Sequence, residues 1–279
     1  MLIGYNTNGF NHHRLEDALN ILADLGYGSV AITLDYHALN PFDADLSPQM
    51  ARVASILHQR NLRCVIETGA RFLLDSCRKH QPTLLSAQEK DREVRLQFLR
   101  NAVDIAAHLR ADAVSFWSGT PDSTEAESVL WERLAEGCRR LCDYAATAGM
   151  RLAFEPEPGM FIDTVDRYAA LRERMQHPLF GLTIDIGHLH CQGETPVADY
   201  LVLWKDLLWN VHIEDMRKGV HDHLMFGEGE IDFGPVLRTL DEMSYRGGVH
   251  VELSRHSHDA VRTAEKALAF LKKRLINSP

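Results

Sequence analysis

The chain has 279 residues, 45% hydrophobic and 25% charged, a composition that supports a large buried core in an ordinary globular protein. Its net charge of −9 argues against a protein that holds nucleic acid by neutralising phosphates. The opening Met-Leu-Ile-Gly-Tyr-Asn soon turns polar and reads as neither a signal peptide nor a membrane span. Five cysteines, Cys64, Cys77, Cys138, Cys142 and Cys191, include no C-x-x-C pair. Reduced thiols in a cytoplasm are the expectation.

Strand and helix periodicity alternate almost from end to end. Leu2–Tyr5 begins a strand, and Leu15, Leu19, Leu22 and Leu25 line a helix that stops at Gly26. A strand over Val30–Leu34 precedes a helix entered at Ser47-Pro48, a Ser cap with Pro in the first turn. Cys64–Glu67 is a third strand, and Val94, Phe98, Ala102, Ile105 and Leu109 mark a long helix. Ala113–Trp117 is a fourth strand; Leu130, Leu134, Cys138, Leu141 and Ala145 line the next helix, closed at Gly149. Four more apolar runs follow, with helices expected near 163–176, 195–207, 232–244 and 257–275. Eight such units predict one (β/α)8 barrel spanning residues 1–279, a fold of about 250 residues in general. A doubly wound open sheet needs a Gly-rich first turn, which Asn6-Thr7-Asn8-Gly9 does not supply.

The last four runs end in Glu155, Asp185, His212 and Glu252. In such barrels catalytic groups occupy the carboxyl ends of strands, so these four are read together as a divalent-metal site. Glu155 and Asp185 have plainer readings too. Glu155 lies in Phe-Glu-Pro-Glu-Pro-Gly, which also suits a simple strand exit, and Glu157 competes with it because alternation aims both the same way. Asp185 is a candidate helix cap, followed by His188, with His190 peripheral. Glu252 sits inside an apolar run, where an unpartnered acid is costly. Eight of the fifteen histidines fall between residues 188 and 258, among them His221 and His223, and histidines near acids suit a metal or phosphate pocket. Asp232 is explained as a helix cap alone. Three carboxylates and one imidazole suit Mn²⁺, Mg²⁺ or Co²⁺ at least as well as Zn²⁺, with manganese the first choice.

In the order FEPEPG, TIDIGH, VHIED, H-x3-G-x-G-x-I-D-F from His223, and VELS, the chain resembles the xylose-isomerase-like TIM-barrel superfamily of sugar isomerases and epimerases. That superfamily also includes the endonuclease-IV type of AP endonuclease. The resemblance implies that Glu155, Asp185, His212 and Glu252 ligate one metal ion. It further implies that Glu155 and Glu252 exchange a proton at a substrate carbon through an enediolate. His188 and Arg217 match substrate-contacting residues. Glu67, Trp117 and His223 are further candidate substrate contacts, Trp117 either stacking on a sugar face at the barrel mouth or packing in the core. The extra histidines of the endonuclease branch are replaced by Glu67-Thr68 and Trp117-Ser118, which argues against DNA repair. Glu67, His188 and His223 leave room for a second metal.

The connection from Thr68 to Gln88 is long for a βα loop. Its Arg71, Arg78, Lys79 and His80 suggest a lid over an anionic substrate such as a sugar phosphate or sugar acid. The sequence therefore predicts a metal-dependent isomerase or epimerase of a small sugar, sugar phosphate or polyol. A hydrolase or dehydratase on the same barrel, or a sugar-binding protein without turnover, are the alternatives. Homo-oligomerisation is compatible with the chain, but no sequence stripe decides it.

Overall fold

A computed structural model describes residues 1–276. Eight strands, β1 (Leu2–Asn6), β2 (Ser29–Thr33), β3 (Arg63–Glu67), β4 (Val114–Phe116), β5 (Leu152–Phe154), β6 (Phe180–Asp185), β7 (Leu208–Ile213) and β10 (Gly248–Val251), close a parallel barrel in the order β1-β10-β7-β6-β5-β4-β3-β2. The outer helices are α1 (Leu15–Leu25), α2 (Leu46–Gln59), α3 (Glu89–Leu109), α4 (Glu127–Thr147), α5 (Val165–Met175), α6 (Ile186–Gln192), α7 (Val197–Leu203), α8 (Phe233–Glu242) and α9 (Ala260–Ile276). This is the predicted (β/α)8 architecture. The α1 helix ends where expected, at Gly26, whose φ of 99° is a left-handed conformation that glycine adopts without a Cβ penalty.

Several boundaries differ from expectation. The helix α2 starts at Leu46 with no side-chain cap, one residue before the predicted Ser47. The helix expected over 195–207 is the shorter α7, and an additional helix, α6, precedes it, capped by Asp185, which accepts from the His188 N–H at 2.8 Å. A 3₁₀ turn over Ser254–Asp259 precedes α9. An antiparallel hairpin, β8 (Asp215–Arg217) and β9 (Val220–Leu224), stands outside the barrel where a loop was expected. Its strands are short and largely polar, so they lack the apolar alternation that marks a half-buried strand. Asp232 caps α8 as predicted, accepting from Gly234 N–H at 3.0 Å.

Strand alternation separates two environments. Outward, Phe116, Phe154 and Phe180 are fully buried with Tyr168 of α5, whose ring stacks on Phe154 at 6.0 Å and on Phe180 at 5.6 Å. Inward, the lumen below the barrel mouth is polar. Ser29 Oγ meets His250 Nε2 at 2.9 Å, His250 Nδ1 meets Asn210 Oδ1 at 2.8 Å, and Thr183 Oγ1 donates to Ser115 Oγ at 3.0 Å. The first and last of these cross between strands that are not neighbours, whereas His250 and Asn210 lie on the paired strands β10 and β7. Gly4 of β1 makes room for this layer, since a Cβ there would collide with the His250 ring.

Two residues above each of Ser115, Ala153, Thr183, Asn210 and His250 stand Trp117, Glu155, Asp185, His212 and Glu252. The same inward parity and the parallel register carry all of them to the carboxyl rim. Asp185 pairs in register with His212, and His212 lies one residue pair above the level of the Val211–Val249 pair.

Candidate active site

At that rim a cavity of about 310 Å³ opens between the barrel mouth and the loops above it. Glu155, His212 and Glu252, three of the predicted metal ligands, line its floor, and the fourth, Asp185, is buried beside them. His212 Nδ1 lies 3.0 Å from Glu155 Oε1, 2.9 Å from Glu252 Oε2 and 3.9 Å from Asp185 Oδ2. One ligand atom from each of the four can be chosen so that all lie within 4.8 Å of one another. This geometry suits a metal ion.

The other imidazole nitrogen is also engaged. His212 Nε2 lies 2.9 Å from Glu67 Oε1, and Asn210 Nδ2 donates to the same oxygen at 3.0 Å. A carboxylate in that position can take the Nε2 proton, so that Nδ1 is the nitrogen that would face a cation held among Glu155, Asp185 and Glu252. Glu252 is oriented as well, with Oε1 accepting from Asn8 Nδ2 at 2.8 Å.

The electrostatics follow from packing acids around one imidazole. Burial disfavours charge on His212, but Glu67, Glu155 and Glu252 outweigh it and hold its pKa well above the ordinary value. Burial pushes Glu155 up to about 8 despite the attraction of His212. Glu252 is half-buried, and although desolvation works against its charge, His212 beside it outweighs that and holds its carboxyl below the usual range. The two glutamates are thus driven apart, the pattern of an acid and base pair.

The remaining predicted residues divide. Glu67, Trp117 and His223 line the cavity. His188 is buried against the floor, 3.6 Å from Asp185 Oδ2, and burial lowers its pKa to about 4. Glu157 lines the cavity above Glu155, 3.7 Å from His221 Nε2 and 3.9 Å from His188 Nδ1, but stands outside the four-residue cluster. Arg217 is a correction. Along β8 Asp215 and Met216 are buried, whereas Arg217 at the turn of the hairpin is exposed and donates to the Glu228 carbonyl at 3.0 Å. It does not line the cavity.

Of the long loop's cations, Arg71, Lys79 and His80 reach the cavity, whereas Arg78 is exposed and paired with Asp75 at 2.7 Å. Trp117 has Arg95 over its ring at 4.9 Å and His80 edge-on at 5.2 Å, so part of its surface is already covered. Sequence reasoning missed Asn8, Asn210, Glu214 and Arg255. Asn8 and Asn210 are polar residues at inward strand parity or just beyond a strand end, a signal available in the sequence. Arg255, at the mouth and paired with Asp222, carried no such signal.

A model of the xylose isomerase-like TIM barrel family matches residues 19–274. The chain belongs to that family. Among similar members, fructoselysine 3-epimerase of Shigella flexneri is 26% identical over 259 residues, 91% of this chain and 90% of the relative. Inosose dehydratase of Clostridium beijerinckii is 29% identical over 163 residues, and the chain spans about half of that relative's length, with 52% of this chain and 54% of the relative covered. A D-allulose 3-epimerase from Methylomonas sp., solved with D-allulose, superposes with a TM-score of 0.78 at 21% identity, covering 98% of this chain and 97% of the other. The structural likeness supports the barrel fold of this family member.

The polar lumen under the family's active rim gives a pH prediction. Burial pushes His250 down to about 3, below the value of about 6.5 expected when unfolded. A depressed histidine contributes stability that is fully present above 6.5 and is lost as pH falls toward 3. The thermal midpoint of the wild type is therefore expected to drop more steeply between pH 6.5 and 4 than that of His250→Gln. Equal slopes in paired melting curves would show that His250 is not held neutral by the fold.

Proposed function

We propose that the chain is a metal-dependent epimerase or isomerase of a small sugar, sugar phosphate or related polyol. The observation that carries this reading is the convergence of Glu155 and Glu252 on His212 Nδ1 beside Asp185. Asp185 Oδ2 is buried with no hydrogen-bond partner, as expected of an atom whose partner is a cation. Glu155, Asp185, His212 and Glu252 would hold one divalent ion, which supplies Lewis acidity to a substrate carbonyl and hydroxyl. The oxygen-rich donor set favours Mn²⁺, with Mg²⁺, Co²⁺ and Zn²⁺ as substitutes.

The chain's own residues then perform the proton work. Glu252, ionised and oriented by Asn8, takes a proton from the carbon beside the carbonyl. Glu155, whose carboxyl retains a proton to higher pH, returns one, and return to the opposite face gives the epimer. A positioned acid or base contributes about 10²–10⁴-fold in such steps. His223 borders the substrate space with His188 buried beneath it, Trp117 offers an apolar wall, and Arg71, Lys79 and Arg255 at the mouth suit an anionic substituent. The five thiols form no disulfide, which supports a reducing, cytoplasmic setting. Among the described residues no helix is long and apolar enough to cross a membrane.

Similarity to inosose dehydratase over half the chain favours a second reading in which the same proton abstraction is followed by loss of a β-hydroxyl. The products discriminate: epimerisation leaves substrate mass unchanged, dehydration does not.

The test is metal content per chain in wild type, Glu155→Ala and Asp185→Ala, followed by NMR of D-allulose, other ketoses and inososes in D₂O. The expected result is one bound ion lost in both variants, with deuterium entering at a carbon beside a carbonyl. Metal binding untouched by either change would remove this reading.

A further inference from the structure

Beyond the acidic floor, the connection from β3 to α3 lends the cavity three basic side chains, Arg71, Lys79 and His80. Acids answer them poorly. Lys79 forms no ion pair among the described residues. Arg71 Nη1 stands 3.7 Å from Asp35 Oδ2, beyond hydrogen-bond length. Arg255 at the same mouth differs, because Asp222 already pairs with it.

A further cation lies behind this wall. Arg95 of α3 is 3% exposed, yet among the described residues no carboxylate meets it. Its Nε donates to the Pro82 carbonyl at 2.7 Å and its Nη2 to the His80 carbonyl at 2.6 Å, and its guanidinium stands 4.9 Å from the centre of the Trp117 ring. Burial pushes its pKa down to about 9, so it stays charged at neutral pH. Buried charges are ordinarily paired. Charge-assisted bonds to two carbonyls fix the loop that carries Lys79 and His80, but they leave the charge itself unbalanced.

The loop is pinned elsewhere as well. His80 Nδ1 donates to the Gly69 carbonyl at 2.8 Å, and Thr83 Oγ1 donates to the Thr120 carbonyl at 3.1 Å. A Cβ on Gly119 would collide with Thr83. Such anchoring describes a fixed wall better than a hinged lid. Burial, seconded by Lys79, Arg95 and Arg71, pushes the His80 imidazole down to about 4. The three charges are therefore felt together at one point of the wall.

We infer that this wall is an anion site: the sugar that enters the cavity carries a phosphate or carboxylate group bound by Lys79 and Arg71, with Arg95 as the positioning residue that holds their loop. The inference rests on the proposed function for the sugar part of the ligand and not for the anion. Both groups offer oxygens that accept charge-assisted bonds from an ammonium and a guanidinium. In the competing account these cations merely balance the carboxylates of the floor, and neutral and anionic sugars bind alike.

The experiment measures binding to the full-length protein, Mn²⁺-loaded and metal-stripped. D-fructose, D-fructose 6-phosphate and D-fructuronate are titrated by calorimetry, and inorganic phosphate by ³¹P NMR. The stripped protein is expected to favour an anionic sugar over D-fructose by about tenfold or more, the worth of one charge-assisted bond. Preference for the phosphate ester or for the sugar acid then tells which anion the site takes. Combining Lys79→Gln with Arg71→Gln is expected to bring the anion-to-neutral ratio close to one and to abolish phosphate binding. These are loop residues, so the test stands even if an Arg95 variant does not fold. Arg95→Met should lower the ratio, and Arg95→Lys, which keeps the charge, should restore most of it. The inference is overturned by equal affinity for all three sugars, by no binding of any of them or of phosphate, or by a preference that survives the double variant. The epimerase reading fails separately, as absent deuterium exchange, and that failure would leave the anion preference of the stripped protein in place.

Discussion

Glu252→Gln is expected to lower deuterium exchange at the substrate carbon by about 10²–10⁴-fold, the range for removal of a positioned general base. The substitution keeps the volume and leaves an amide oxygen able to accept from Asn8 Nδ2, which now donates to Glu252 Oε1 at 2.8 Å. What it deletes is the negative charge that His212 stabilises. Gln is also a weaker metal donor, so the variant is compared at saturating Mn²⁺ to separate lost proton transfer from lost occupancy. Glu155→Gln is the partner experiment. If Glu155 returns the proton, this variant can still wash out substrate hydrogen yet forms product far more slowly. Exchange within about threefold of wild type in Glu252→Gln, with metal bound, would falsify the assignment of the base.

The second large effect is expected at Glu67, which was read from sequence as a substrate contact and stands in the structure against His212 Nε2. Carboxylates behind a metal-binding histidine fix its tautomer and raise its basicity, and their loss typically costs about 10–100-fold in metal affinity or activity. Glu67→Gln should weaken Mn²⁺ binding by that factor. Its amide oxygen can still accept from His212 Nε2–H and Asn210 Nδ2, so unfolding transitions should move little. A residue that only touched substrate would behave differently, with KM rising while the metal titration stayed in place. Calorimetric Mn²⁺ titration alongside steady-state kinetics decides between them.

Much of this site was legible because β-structure has a period of two. Once the apolar runs are read as parallel strands, Glu155, Asp185, His212 and Glu252 can only end at one rim, and they do. The part that could not be read depends on side-chain direction in segments without apolar periodicity. Nothing in Asp-Met-Arg-Lys-Gly-Val-His-Asp-His announces a hairpin, so neither the inward path of His221 and His223 nor the outward turn of Arg217 could be inferred. Glu214 lay in plain view within His-Ile-Glu-Asp, but its burial depends on α6 passing close by at Gly187. Asn210 and His250 interrupt apolar runs, as a strand facing a polar lumen requires. Their bonding to each other is a property of barrel closure, which no local pattern encodes.

That lumen divides the molecule into regions with different tolerance for change. Below the rim, Ser29, His250, Asn210 and Glu67 form a continuous hydrogen-bonded column ending at His212, and Gly4 leaves no slack beside it. A substitution low in the barrel is thereby coupled to the proposed metal site even where no substrate could reach. The mouth is built otherwise. Exposed Lys79 and the half-exposed Arg71 project from the loop after β3 and exposed Arg255 from the 3₁₀ turn before α9, so they can be exchanged with little disturbance beneath them. A lineage or an engineer seeking a new sugar would find freedom in that upper ring, while the machinery under it stays fixed.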